Sequence, residues 1–298
     1  LKKPLASEPN AGIDLHIHST ASDGTLTPSE ILAMAVRLGL KAIAITDHDT
    51  LAGSAAAISR GIPSTLQFIT GIEISAAAPP GFHSGGSIHI LGYGFDLGNP
   101  GLASLLEVLK TARENRNPKI IARLNALGMD LHADELAPIV GSGVAGRPHI
   151  AQLMVKKGLA DSIDDAFDRF LGKNRPGYVG KYRVPMADAI GAINTAGGIA
   201  VLAHPYLNDL NGQDRFESFL KTLISLGLGG IEAIYPDHPE TATSEYCRLA
   251  RKYDLVITGG TDFHGEVTPG IQPGIGDGSF LVPYSVYETL VETLRTRK

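Results

Sequence analysis

Cysteine is almost missing from this chain of 298 residues. The single one, Cys247, excludes an internal disulfide framework and every cysteine-rich metal site. Low cysteine use suits a cytoplasmic location. Positive charge is not in excess either, since 26 Lys and Arg face 31 Asp and Glu for a formal net charge of -5. That balance excludes the global basic field of a protein that coats nucleic acid, so no stable DNA binding is expected. Long hydrophobic runs are also absent. None approaches the ~18–20 residues that span a bilayer, and no membrane partner is expected. The first residues, Leu1 to Glu8, lack an initiator Met and an apolar signal core, and read as a trimmed tail.

What remains is ample for a core. Hydrophobic residues make up 43% of the chain, and 35 glycines with 18 prolines fit many short turns. The length allows one large α/β barrel or two ordinary domains.

The informative stretch runs from Ile13 to Asp49 and reads as strand, loop, helix, strand. Side chains two apart in a strand share a face, so His16 and His18 can close on one metal ion. Asp23 follows in the loop, and Asp47 and His48 arrive where the second strand ends. Between them, Thr27-Pro28-Ser29-Glu30 offers a capping box with Pro at the first helical position. Ile31, Leu32, Ala35 and Val36 form the apolar face, and Gly39 supplies a left-handed stop. Such a βαβ unit makes its two strands parallel.

Further along, an Ala-rich helix is predicted over 52–60, a third strand over 67–74 with Glu73, and a fourth over 87–93 with His89. The pattern then changes. Residues 99–179 show only helical periodicity, over 102–127, 148–157 and 163–171. This block carries eleven Lys and Arg against nine Asp and Glu, a charge of +2 where the rest of the chain has -7. It reads as a helical insertion between a first barrel part, 1–98, and a second, 180–298. Beyond it come a helix over 187–194, a strand over 199–203 ending in His204-Pro205, and strands over 230–234 and 255–259. Thr261-Asp262-Phe263-His264 follows the last strand, and a helix over 284–296 closes the chain. The seven predicted strands are mostly continuous apolar runs, as in a parallel sheet buried on both faces.

Strand ends thus collect His16, His18, Asp23, His48, Glu73, His89, His204, Asp262 and His264. In a parallel barrel the C-terminal strand ends share one mouth, where active sites lie. So many ionisable groups are costly to bury unless metal ions compensate them. With no cysteine among them, oxygen and nitrogen ligation of Mn, Fe or Zn is expected.

These motifs, Asp-Leu-His16-Ile-His18-Ser, Ser-Asp23-Gly, Thr-Asp47-His48-Asp, Gly-Ile-Glu73, Ile-His89-Ile-Leu-Gly-Tyr, Ala-His204-Pro and Asp262-Phe-His264, resemble the PHP (polymerase and histidinol phosphatase) superfamily. The resemblance spans residues 14–264 in the family's order. It implies an α/β fold, a distorted (β/α)7 barrel with a helical insertion domain. It also implies a metal-dependent phosphoesterase with three divalent ions, Mn first and Fe or Zn as alternatives. The first ion would take His16, His18, Glu73 and Asp262; the second Glu73, His89 and His204; the third Asp23, His48 and His264. Glu73, Asp262 and His264 would be the catalytic residues, with a metal-bridging hydroxide attacking phosphorus.

Within the insertion, Gly-Arg147-Pro-His149-Ile-Ala and Lys-Asn-Arg175-Pro-Gly-Tyr178-Val resemble the branch of nucleoside 3',5'-bisphosphate phosphatases and 5'-to-3' exoribonucleases. The substrates implied are 3',5'-bisphosphonucleosides, or short 5'-phosphorylated RNA. An amidohydrolase and a non-catalytic PHP scaffold are the rivals from other classes. The strand count and the Asp23 and Thr-Asp-His motifs oppose the first, and the filled ligand positions oppose the second.

For phosphate recognition Arg147 leads, because a guanidinium grips two phosphate oxygens in a fork. The alternative is a surface arginine at the start of the Pro148 helix. His149, Arg116, Lys181 and Arg183 follow, with His238 near the end of the sixth strand. The arginines between 113 and 123 also fit a solvated helix face, and Tyr178 and Tyr206 fit either base stacking or a core rim. Asp47 is expected to orient an imidazole and Asp49 to cap the next helix. His83 and His132 are expected to face solvent.

Overall fold

The computed structural model describes residues 12–82, 88–140, 145–208, 213–267 and 269–297. His83 and the 1–11 tail lie outside the described residues. The first half of the barrel comprises β1 (Ile13–Ile17), α1 (Pro28–Arg37), β2 (Ala42–Ile45), α2 (Ala52–Arg60), β3 (Gln67–Ala77) and β4 (Ile88–Tyr93). Helices α3 (Pro100–Asn125), α4 (Ala137–Val140), α5 (Arg147–Lys156) and α6 (Ile163–Ala166) follow. The remainder is β5 (Val184–Pro185), α7 (Met186–Thr195), β6 (Ile199–Leu202), α8 (Gln213–Ser225), β7 (Gly230–Ile234), α9 (Glu240–Lys252), β8 (Val256–Gly259) and α10 (Tyr284–Thr296).

The capping box of α1 forms as its sequence requires: the Thr27 hydroxyl accepts the Glu30 N–H, and Glu30 accepts the Thr27 N–H at 2.8 Å. Asp49 does not cap α2. The cap position is Leu51, without a side-chain bond, and Asp49 is buried elsewhere. Helices α8 and α9, absent from the periodicity reading, join β6 to β7 and β7 to β8.

Seven strands follow the order β1-β2-β3-β4-β6-β7-β8 around a nearly closed barrel, with the two-residue β5 attached to β3. Closure comes where the chain after β8 meets β1: the His18 N–H donates to the Phe263 carbonyl at 2.9 Å. There the backbones touch. A Cβ on Gly260 would sit 2.4 Å from the His16 backbone nitrogen, so only glycine fits. The wholly parallel sheet expected from the apolar runs is not observed. β4 is antiparallel to both β3 and β6, and among the described residues no crossover helix lies between β3 and β4.

Apolar packing divides into layers. Leu15, Ala44, Leu91, Val201 and Ala203 belong to one cluster with Leu290 and Leu294 of α10. The helical block has a separate cluster, including Ile120, Leu124, Ile150, Met154 and Leu171. Long α3 therefore packs on the barrel through Leu102, Leu106 and Leu109, and on the block through its second half. Among the described residues, no helix is long and apolar enough to cross a membrane.

Candidate metal centre and substrate pocket

Each sequence-predicted ligand reaches the mouth by a different local device. His16 lies in β1 and His18 directly follows it, with Leu15 and Ile17 buried beside them. Glu73 lies within β3, and its bridge partner His48 follows β2. His89 was expected at a C-terminal strand end like the others. It lies near the N-terminal end of β4, opposite Ser75, and the reversed direction of β4 brings that end to the same mouth. His204 and Asp262 turn inward on backbones of φ 24° and 53°. Positive φ costs a non-glycine residue about 1–3 kcal/mol, and such conformations persist only where the surroundings enforce them.

Glu73 is the hub. Its Oε1 lies 2.8 Å from His89 Nδ1 and 3.0 Å from His204 Nε2, and its Oε2 2.8 Å from His48 Nδ1. His16 Nε2 and His18 Nε2 approach the same carboxylate at 3.6 and 3.4 Å, and Asp262 Oδ1 at 3.2 and 3.0 Å. Next to this group, His18, Asp23, His48 and His264 place donor atoms within 4.8 Å of one another. His48 spans both groups, with Nδ1 toward Glu73 and Nε2 3.8 Å from Asp23.

The donor set fits divalent cations. His16 Nε2, His18 Nε2, Asp23 Oδ1, His48 Nδ1, Glu73 Oε2 and Asp262 Oδ1 are buried, yet none makes a well-directed hydrogen bond. Buried polar atoms are normally paired. These converge at short range without aiming at one another, as donors directed at shared ions do. Burial lowers the His18 and His89 pKa to about 3 and 4, which leaves each a lone pair at neutral pH. Burial opposes ionisation of Glu73, but His89, His48 and His16 overcome it and hold the carboxyl well below its usual range.

Two buried carboxylates escaped the sequence reading. Glu232 of β7 is fully buried; one oxygen meets His16 Nδ1 at 2.9 Å and the other accepts the His204 N–H at 2.7 Å. It thus sets the His16 ring and clamps the strained His204 backbone. Its signal was a lone acid in the apolar run Gly-Ile-Glu-Ala-Ile. Asp14 accepts the backbone N–H groups of His16, Thr261 and Gly274, tying β1 to the segment after β8. Glu232→Gln is expected to weaken metal affinity about 10- to 100-fold. Competition with a chelator measures this, and unchanged affinity would remove the positioning role.

Asp47 does not touch an imidazole. It accepts the Ser19 N–H and hydroxyl and the Ser22 hydroxyl, at 2.7, 2.7 and 2.6 Å, bracing the loop that carries Asp23. Asp49 accepts from the Arg113 guanidinium and the Ser75 N–H, with Lys181 Nζ 3.5 Å away. Arg113 and Arg116 are therefore not on a solvated face: both are buried and turned toward the mouth.

Above the ligands, Arg113, Arg116, Arg147 and Lys181 line one cavity of about 150 Å³ with Asp23, His48 and His89. Arg147 is held in place by donating to the Leu171 carbonyl at 3.0 Å and by stacking on Phe167 and Tyr178. Tyr178 thus serves the arginine, and Tyr206 is half exposed. Arg183 lies near enough to Arg147 to repel its charge. Among the described residues, Arg116 has only a 3.4 Å bond to Asn117, and its Nε lacks a partner. Burial lowers the Arg116 pKa to about 10 and that of Lys181 to about 8.

His149 and His238 stand apart. His149 is buried and accepts the Gly146 N–H at the start of α5. His238 bonds the Ala233 carbonyl at 3.1 Å and packs among Tyr206, Tyr235 and Tyr246. His132 is exposed and pairs with Asp130.

The family model for the PHP domain matches residues 14–171. The chain belongs to the PHP family. Its relatives extend the match over most of the chain. A 3',5'-nucleoside bisphosphate phosphatase of Chromobacterium violaceum is 34% identical over 89% of this chain and 91% of its own. A 5'-3' exoribonuclease of Haemophilus influenzae is 33% identical, covering 84% and 89%. A phosphoribosyl 1,2-cyclic phosphate 1,2-diphosphodiesterase of Eggerthella lenta is 34% identical, covering 91% and 98%. Among solved structures, one from Bifidobacterium adolescentis described as a metal-dependent phosphoesterase aligns with TM-score 0.82 at 29% identity, over 95% and 96% of the two chains. One from C. violaceum, described as an amidohydrolase with bound sulfate, aligns at 0.78 and 31% over 96% and 97%. The PHP chain is a metal-dependent hydrolase of phosphate esters with an α/β barrel, as its motifs implied. Three relatives of near-equal identity act on three substrates, so the choice among them rests on the pocket.

Proposed function

We propose that this enzyme hydrolyses the 3'-phosphate of nucleoside 3',5'-bisphosphates to give nucleoside 5'-monophosphates. The observation that carries the reading is the cationic cavity beside the ligand cluster. Arg116, Arg147 and Lys181 gather there around space, and Arg116 holds a buried, unpartnered donor. A buried cation so poorly paired is stabilised by a bound anion. The ligand cluster would take the scissile phosphate and the cationic cavity the 5'-phosphate, as a substrate with two phosphates requires.

The ligands are assigned to three divalent ions, Mn first and Fe or Zn as alternatives. The sets are His16, His18, Glu73 and Asp262; Glu73, His89 and His204; and Asp23, His48 and His264. When bound, such ions supply Lewis-acid activation of water and neutralise charge on the phosphoryl oxygens. The chain's own side chains hold the substrate in line. Water oxygen joins phosphorus, the P–O3' bond breaks, and the nucleoside retains O3' as a hydroxyl. Trimming of short 5'-phosphorylated RNA is the second reading. It draws on a cavity of about 450 Å³ past Asp262, into which one nucleoside beyond the scissile phosphate would extend. Nucleotide substrates and the single cysteine support a cytoplasmic location.

The test is phosphate release with Mn supplied, comparing adenosine 3',5'-bisphosphate, a 5'-phosphorylated trinucleotide and AMP. Rapid release from the bisphosphate is expected. Its absence, with the trinucleotide shortened stepwise, would replace this reading by the second.

A pH dependence follows from Lys181. Its ammonium is charged below about pH 8 and neutral above. The kcat/KM for the bisphosphate, which reports the free enzyme, is therefore expected to fall as pH rises through that value. Lys181→Arg keeps its charge and should move the fall to higher pH. Identical profiles for the two proteins would exclude Lys181 as its origin.

A further inference from the structure

The ligand cluster borders several cavities, and two of them have opposite character. Toward α3 lies the cationic one. Past Asp262 and His264 lies a larger one, of about 450 Å³. Pro148 and Phe167 line both and form the partition. Among the described residues, no Lys or Arg lines the second cavity; its charged groups beyond the ligand cluster are Asp164 of α6 and Asp237 after β7. Both are exposed side chains, free to face whatever enters.

Consider what each substrate places there, given the proposed reaction, on which this inference rests. The scissile phosphorus carries O3' on the side of the cationic cavity. In a terminal phosphate its other oxygens are unsubstituted. In an RNA strand one of them is esterified to the next nucleoside, which must run away from the 5'-phosphate. The cavity past Asp262 lies on that side, since the remaining one shares His48 and Arg113 with the cationic cavity, and a following phosphodiester would pass the two carboxylates.

We infer that Asp164 and Asp237 are specificity-determining residues, disfavouring substrates with a further phosphate beyond the scissile one. A terminal phosphate meets neither carboxylate and is accepted. A dinucleotide, whose only internal phosphate is the scissile one, carries no further charge into the cavity and is penalised less than a trinucleotide. Each like-charge encounter across partly solvated space is worth about a two- to threefold effect, and salt screens it.

The experiment uses the full chain with Mn and measures kcat/KM for adenosine 3',5'-bisphosphate and for 5'-phosphorylated di- and triadenylate. Wild type should follow that order of preference. In the Asp164→Asn/Asp237→Asn protein the trinucleotide-to-bisphosphate ratio should rise about fivefold at low salt, and less at high salt. The dinucleotide ratio should change little. Asp164→Lys/Asp237→Lys should carry the trinucleotide ratio further in the same direction. An unchanged trinucleotide ratio in both proteins, with bisphosphate hydrolysis intact, overturns the inference alone. A wild-type enzyme inactive on the bisphosphate overturns the proposed function and the inference together.

Discussion

Glu73→Ala is expected to cost the enzyme two of the three proposed ions and at least about 10²–10³-fold in kcat/KM. Its carboxylate contacts His48, His89 and His204 at 2.8–3.0 Å and approaches His16 and His18 from the same position. Removing it takes the shared anion from the first two proposed ligand sets and leaves Asp23, His48 and His264 for the third. The loss should therefore be selective: elemental analysis should find about one ion retained. Glu73→Gln preserves shape without charge and should behave similarly, which separates charge from packing. Full metal content in both variants would break the assignment of Glu73 as the common ligand.

Arg147→Ala is expected to raise KM for a nucleoside bisphosphate about 10- to 100-fold, the range for a charge-assisted bond to phosphate. For 4-nitrophenyl phosphate, which has one phosphate and no second anchor, the change should be small. Arg116→Ala should share this asymmetry, since its unpartnered Nε is the donor most in need of an anion. Arg147 also rests on Phe167, Tyr178 and the Leu171 carbonyl, so a melting curve is needed beside the kinetics. Arg147→Lys keeps the charge but loses the planar fork and its stacking, and should recover only part of the affinity. Equal effects on both substrates would argue for a general structural role.

The two carboxylates that position the ligands show where reading along the chain fails. Glu232 and His16 lie 216 residues apart, and no local pattern couples them. Asp49 illustrates the opposite error. A polar residue just before a helix reads as a cap, because capping is a short-range rule. The buried Arg113 guanidinium, supplied from α3, claims it instead. Arg113 and Arg116 of α3 were ambiguous for a similar reason: their spacing gives a helix face, and only the docking of α3 on the barrel turns them to the mouth while Arg123 stays exposed.

The direction of β4 is a third case. A buried strand is apolar on both faces whether it runs parallel or antiparallel, so its sequence carries no direction. His89 was legible as a ligand candidate although its end of the strand was misplaced. Reversing β4 exchanged the ends and kept the imidazole at the mouth.

Taken by itself, the sequence determined the α/β class, the seven barrel strands, the helical block and the identity of the candidate ligands. Those depend on local rules: alternation along a strand, a capping box, acids and imidazoles at strand ends. Tertiary structure alone decided which ligands share Glu73, which acids hold them, and how Arg116, Arg147 and Lys181 come to face one cavity. These are relations of distance between segments far apart in the chain. Backbone chemistry sets conformation over a few residues, but only packing brings such segments to within a hydrogen bond of each other.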